Sequence, residues 1–354
     1  MGLGKTLTVR AISLLFVLFF VLFLTVVVIG ATGMSDRILN SMVKDRVRGI
    51  TQELATQITN PEKLKEAIEA IEQDLIVAYG LDKPWYVRMP NMVWRILSLD
   101  LGNARTVMSF AGSNRVSNII LERMPNTIFL MVTVLIINFV ISIIIGVKVA
   151  TKPGSLLDRA TSLYSAVSYA LPTWWLGMLM ILTFSFYIRP NNQPLFPFGG
   201  MYSAPPPTDP LGRFLDMLWH LGLPVMTLVI ALSGSWIYIT RSIVITTAQE
   251  DFVTTARAKG LPERLVLWRY IIRAAAPPIL TNLILSLAFY LGGAILTETV
   301  FNWPGMGLLY LQAIMSVDEV LILALTYVFT LIYVIARFIL EVLYVIVDPR
   351  VRYK

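Results

Sequence analysis

The chain has 354 residues, 56% hydrophobic and 14% charged, with net charge +7 and mean hydropathy +0.71. A soluble domain carries about 25% charge and about 45–50% apolar residues, so this composition indicates an integral membrane protein. With no cysteine and a single histidine, His220, disulfides, thiolate metal sites, cysteine nucleophiles and histidine clusters are excluded.

"GLGKT" (2–6) resembles the end of a phosphate-binding loop, but the earlier glycine and preceding strand are missing and an apolar run follows. Lys5 and Arg10 read better as topology signals. Residues 11–30 are uncharged and long enough to span a bilayer, which needs roughly 20 apolar residues. This run is about twice the usual signal-peptide core and lacks a good cleavage site, so it is expected to be retained.

Residues 31–123 form the long segment that follows. Within it, "NPEKLKEAIEAIEQDL" (60–75) places Leu64, Ile68, Ile71 and Leu75 at helical spacing behind Pro61. An amphipathic helix is expected here, packed as a lid or lying on the membrane surface. Further apolar runs occupy residues 127–147, 163–188, 221–240, 279–297 and 320–347. Only the last carries charges, Arg337 and Glu341, whose spacing of four puts them on one helix face as a pair.

Six spans are therefore predicted, and the short loops orient them. Lys148, Lys152 and Arg159 follow the second span. Arg241, Arg257, Lys259, Arg264, Arg269 and Arg273 follow the fourth, and Arg350, Arg352 and Lys354 close the chain. The opposite short loops hold Arg189 and Arg213. Basic residues collect on the cytoplasmic side, so both termini are expected there and residues 31–123 outside. The positive net charge is explained in the same way. No nucleic-acid partner is expected, because no aromatic–basic groove pattern accompanies the charge.

Several polar residues invite functional readings. Asn138 and Asn282 lie within spans, where unpaired polar groups are costly; each would bond across helices or line a pathway. Glu298 ends the fifth span, either bonded to the following turn or facing an outer pathway. Trp174, beside Trp175 and after Pro172, suits either a membrane interface or stacking on a sugar ring. His220 reads as an interfacial histidine. "FPFGGMYSAPPPTDP" (196–210) reads as a rigid connector, and "NWPGMG" (302–307) as a tight turn or re-entrant hairpin. No chain of buried acids or histidines crosses the spans, which weakens a stand-alone secondary carrier or channel.

The loop 241–278 is the most informative stretch. Glu250 and Asp251 open a short helix and Arg257 and Lys259 close it, each with the sign its dipole favours. Gly260 supplies the stop, Pro262 starts a second helix over 263–276, and Pro277 and Pro278 are expected to end that helix. Phe252, Val253 and Ala256 give the first helix a small apolar face. Its charged tip suits docking into a partner's groove, and Ala256 and Gly260 are small enough for close approach.

"EDFVTTARAKGLPERLVLWRYIIRAAAPPIL" (250–280) resembles the cytoplasmic loop of binding-protein-dependent ABC importer permeases. "YGLDKPWYVRMPNMVWRILSLDLGNA" (79–104), "ILERMPNTIFL" (120–130), "LPTWWLGMLMIL" (171–182), "TETVFNWPGMGLL" (297–309) and "DPRVRY" (348–353) are similar to segments of the first permease subunit of the dipeptide/oligopeptide family, in the same order. The resemblance covers residues 79–353 and the first span. It implies an all-α polytopic membrane protein with the type I ABC importer permease fold, divided as 1–30, 31–123 and a five-helix core over 124–354.

The resemblance also implies a function. The short helix would be the coupling helix, seated on a separate ATPase subunit through Glu250, Asp251, Thr254, Thr255, Ala256, Arg257, Lys259 and Gly260. Thr254, Thr255 and Ala256 stand where the general motif has Glu-Ala-Ala. The implied partners are a second related permease subunit, two ATPase subunits that use ATP and magnesium, and an external solute-binding protein. The chain itself would hold no cofactor and catalyse no covalent step. Di- or oligopeptides are the expected cargo, with oligosaccharides the alternative and Asn138, Trp174, Asn282 and Glu298 the candidate path residues. Two departures stand out: "ATGMSDRIL" replaces a Pro-Gly-Asp-Pro stretch after the first span, and the segment 31–78 is longer than usual.

Overall fold

The computed structural model describes residues 3–58, 60–291 and 295–347. The basic residues Arg350, Arg352 and Lys354, the segment 348–353 and Gly2 lie outside the described residues, as do positions 292–294 of the predicted fifth span. Among the described residues the regular structure is helical, joined by loops, apart from one antiparallel bridge between Asn103 and Arg115.

Helix α1 (Leu3–Ala31) carries no charge from Ala11 onward and is apolar on every side there, as a membrane-spanning helix requires. A left-handed Gly33 separates it from α2 (Met34–Gln57). The expected amphipathic helix is α3 (Pro61–Ala78), capped by the Asn60 side chain, which accepts from Glu62 N at 2.9 Å. Helix α4 (Trp85–Leu97) follows, and then α5 (Val116–Ile141). Through a π-helical turn at Ser142–Gly146, α5 continues into α6 (Val147–Ala150).

The predicted third span is not one straight helix. Helices α7 (Leu156–Ala170) and α8 (Thr173–Ile181), the latter prolonged by a π-helical turn Leu182–Tyr187, meet at a bend of 95°. The cause is local. Pro172 restricts Leu171 to an extended conformation (φ −80°, ψ 121°), which ends α7. The fourth span lies inside the much longer α9 (Pro210–Ala248), which begins at Pro210 with Asp209 as its cap.

The loop beyond α9 contains α10 (Asp251–Ala258) and α11 (Glu263–Leu265). A π-helical stretch, Val266–Ile272, joins α11 to α12 (Arg273–Leu291). Here the sequence expectation fails, because Pro277 and Pro278 lie within α12 rather than ending a helix. Their fixed φ suits the helix, and the carbonyls they leave without N–H donors belong to Arg273 and Ala274, both at exposed positions. Helices α13 (Ile295–Val300), α14 (Met306–Met315) and α15 (Glu319–Val347) complete the chain.

Among the described residues, four helices are long and apolar enough to cross a bilayer, or five if the bent α7–α8 pair is one span. The remaining predicted span, 279–297, runs into the positions that are not described.

The chain divides into two compact units. One comprises Met1–Leu14, Ile120–Leu311 and Leu331–Lys354. Its core includes two apolar clusters. Leu130, Met131 and Val134 of α5 pack with Leu221, Val225 and Leu228 of α9 and with Trp303. The other cluster surrounds α10. The proline-rich 196–210 loop is pinned within this unit: Gly200 N donates to Phe301 O at 2.8 Å, and Asp216 accepts from Ser203 N and Oγ at 2.7 and 2.6 Å. Arg337 and Glu341 form the expected pair at 3.2 Å, and Arg10 joins them at 3.6 Å from Glu341.

The second unit comprises Leu15–Ile119 and Gln312–Thr330. Asp318 organises its loops. One carboxylate oxygen accepts from Arg105 N at 2.5 Å and Thr106 N at 3.0 Å, while the other accepts from Leu321 N at 3.2 Å and so caps α15. Asp36 of α2 pairs with Arg88 of α4.

Candidate functional site

Helix α10 has too few residues to be stable alone, so tertiary packing must hold it. Val253 and Ala256, three apart on one face, are 0% and 2% exposed. They join Val147, Ala150, Val244, Val266, Ile271, Ala275 and Ile279 in one apolar cluster. Sequence reasoning placed Ala256 where a partner could approach closely. In the structure its own chain takes that place, so Ala256 seats the helix.

The opposite face is open. Glu250, Asp251, Phe252, Thr254, Thr255, Arg257 and Lys259 are all exposed. Glu250 occupies the N-cap position in extended conformation, with no cap hydrogen bond from its side chain. Thr255 Oγ1 donates to Asp251 O at 2.9 Å. Gly260 has φ +70° with nothing near its missing side chain, so backbone conformation rather than space selects glycine at this stop.

An ion pair closes the turn. Arg257 Nη2 lies 2.7 Å from Glu263 Oε1, and Arg257 Nε donates to the same carboxylate at 3.2 and 3.3 Å. The hydrogen bond from Arg257 holds the Glu263 carboxyl below its ordinary pKa, and Glu263 in turn raises that of Arg257. Beside this pair lies a cavity of about 280 Å³, lined by Thr151, Pro153, Ala248, Gln249 and Leu267 among others. Sequence reasoning missed Glu263 as a partner, because a helix boundary intervenes and the spacing of six matches no intrahelical pair. It likewise missed Asp158, which grips Arg241 bidentately, the Nη2–Oδ2 arm at 2.8 Å, and ties the start of α7 to the far end of α9.

The candidate path residues do not converge. Asn282 lines a cavity of about 330 Å³ with Ser168, Thr173, Ser235, Trp236 and Ser286, and its Nδ2 donates to Pro278 O at 2.9 Å. Asn138 and Trp174 are not among the residues lining it. Asn138 is buried, and neither side-chain polar atom has a partner among the described residues. Trp174 is partly exposed.

Glu298 is fully buried. One oxygen accepts from Thr127 Oγ1 at 2.8 Å, and the other from Gly307 N and Leu308 N at 2.7 and 2.9 Å. It caps α14 from α13, across the turn in which Trp303 Nε1 donates to Asn126 O at 3.0 Å. His220, read as interfacial, is buried, with Nδ1 at 2.9 Å from Asp216 O. No metal-binding cluster occurs among the described residues.

Similar proteins supply the context for this geometry. An oligopeptide transport system permease protein, AppB of Bacillus subtilis, is 31% identical over 285 residues, 80% of this chain and 86% of its own length. The dipeptide transport system permease protein DppB of Escherichia coli K12 is 29% identical over 294 residues, 79% of this chain and 85% of its own. A peptidoglycan transport system permease protein, YejB of Agrobacterium fabrum, is 29% identical over 296 residues, 82% of this chain and 77% of its own. Residues 142–353 match the family described as the inner membrane component of binding-protein-dependent transport systems. The chain therefore belongs to that family, as a non-enzymatic ABC transporter permease of the dipeptide/oligopeptide type whose ATPase resides in separate subunits.

Proposed function

We propose that this chain is a six-span permease subunit of an ATP-driven peptide importer in a prokaryotic cell membrane, with both termini cytoplasmic. It pairs with a second related permease subunit and receives cargo from an external solute-binding protein. Two ATPase subunits, using ATP and magnesium, close on nucleotide and draw the coupling helices together, which opens the spans outward. Hydrolysis restores the inward-facing state.

The observation that carries this reading is the division of α10 into two faces. Val253 and Ala256 are locked into the chain's own core, while the charged tip from Glu250 to Lys259 is left open. A rigid seat under an exposed tip allows a partner's motion to reach α9 and α12. A stand-alone carrier or channel gives no reason for such a tip. Asn282 and its cavity are assigned to the path, with Asn138 and Trp174 as further candidates, and Glu298 to holding the turn beside it.

The similarity to permeases named for oligopeptides and dipeptides favours peptide cargo. The relative named for peptidoglycan transport favours a glycan-bearing cargo as the second reading.

Affinity capture of the wild-type subunit with its candidate partners, beside Thr255→Arg, tests the coupling role. Wild type is expected to retain the ATPase, and the variant to lose it while keeping the second permease. If wild type retains no ATPase subunit, the proposal fails.

A further inference from the structure

We infer that α4 is an interfacial helix whose exposed apolar face rests in the headgroup region of the lipid beside Gly30, the outer leaflet in the orientation proposed above.

The depth of α4 follows from what it touches. The apolar run of α1 from Ala11 to Gly30 rises roughly 30 Å at 1.5 Å per residue, one hydrocarbon thickness. Gly30 therefore marks one bilayer boundary. The ring of Trp85, the first residue of α4, lies so close to Gly30 that an added Cβ would come within 2.3 Å of Cε3. The start of α4 is thus fixed at the edge of the hydrocarbon. The ion pair between Arg88 and Asp36 ties the next turn to α2, just beyond α1.

The surface beside this contact is left open by the chain itself. In the most apolar window of α1 only 17% of residues are buried, against 33–44% in the other three long candidate spans. Leu24 and Val28, near its outer end, are 44% and 60% exposed.

Helix α4 is three-sided. Val93 and Ile96 are buried against protein. Tyr86, Val87, Pro90 and Trp94 are exposed, Trp94 at 71%, and at 3.6 residues per turn they fall within an arc of roughly 100°. Asn91 and Arg95 are exposed on the following arc, and Arg95 donates to Asp100 at 2.9 Å. Protein, apolar and polar sides in sequence are what a helix at a lipid boundary needs. Tryptophan and tyrosine on the apolar side are the residues that favour headgroup depth. A water-facing helix would gain nothing from a tryptophan left open on this arc.

The chain contains no cysteine, so single cysteines can be spin-labelled without background. The full chain, in its assembled complex in phospholipid vesicles, would carry the label in turn at Val87→Cys, Asn91→Cys and Trp94→Cys. Collision rates with oxygen, which concentrates in lipid, and with a water-soluble nickel chelate report depth. Labels at 87 and 94 are expected to favour oxygen several-fold more than the label at 91. A label at 94 that prefers the chelate as strongly as at 91 overturns the inference. So does one shielded from both reagents, which would mean that protein covers this face. If Trp94→Cys fails to assemble, Val87→Cys decides between the same outcomes.

Discussion

Glu298 and Glu263 show how one side-chain type does different work in different surroundings. Glu298 is fully buried, and three donors converge on its two oxygens. Glu298→Ala would strand the Thr127 hydroxyl and two backbone N–H groups. A loss of about 3 kcal/mol or more is expected, read as a lower thermal midpoint of the purified protein. Glu263 is exposed and its pair with Arg257 is open to solvent, so Glu263→Gln should cost less than about 1 kcal/mol at pH 7. The sign with pH follows from its lowered pKa. Stabilisation is fully present above the unfolded value near 4.3 and is lost as pH falls through the lower folded value. Thermal melts of wild type and Glu263→Gln should therefore converge in acid. A gap that persists there would show that the ion pair is not its source.

At the scale of elements, legibility followed local chemistry. Pro61 announced the start of α3, and Gly260 announced the stop of α10, because helix starts and stops act within a few residues. The 95° break at Leu171–Pro172 had a local sign in Pro172, but the apolar run around it reads as one span and gives no direction for the bend. The tolerance of Pro277 and Pro278 was also hidden, because it depends on which side of α12 the fold leaves exposed. Contacts between elements were beyond reach for a further reason. The bidentate grip of Asp158 on Arg241 joins residues 83 positions apart, which no periodicity encodes.

Tight contacts also set expectations for elements. A Cβ on Gly234 of α9 would meet Ser168 Oγ at 2.0 Å and Ser165 Cα at 2.7 Å on α7, and backbone there cannot move aside cheaply. Gly234→Ala should destabilise by about 1–3 kcal/mol, seen as a lower melting temperature. Val253→Ala leaves the tip of α10 chemically intact while loosening its seat. It should preserve ATPase capture but lower ATP-driven uptake. Unchanged uptake would remove the seat from the coupling route.

For the whole molecule, composition alone identified a membrane protein, because 14% charge leaves too little polar surface to face water. The family was legible in the order of its segments, and the match over residues 142–353 agrees with that reading. The path was less legible. Asn138, Trp174, Asn282 and Glu298 shared only polarity or aromaticity within or at the end of a span, and the fold sends Asn282 to a cavity and Glu298 to a helix cap. Orientation can be checked with single cysteines in intact cells. A cysteine at Arg213 should react with an impermeant thiol reagent from outside, and one at Thr254 only after the membrane is opened. The reverse pattern would invert the topology.

The coupling role of α10 is tested most directly by cross-linking. Asp251→Cys, on the open face of α10, would be treated with a short bifunctional thiol–amine reagent in the assembled complex. The expected result is a covalent adduct with an ATPase subunit whose yield changes when ATP is bound. An intact pair of permease subunits that gives no such adduct, with or without nucleotide, would contradict the coupling role of α10.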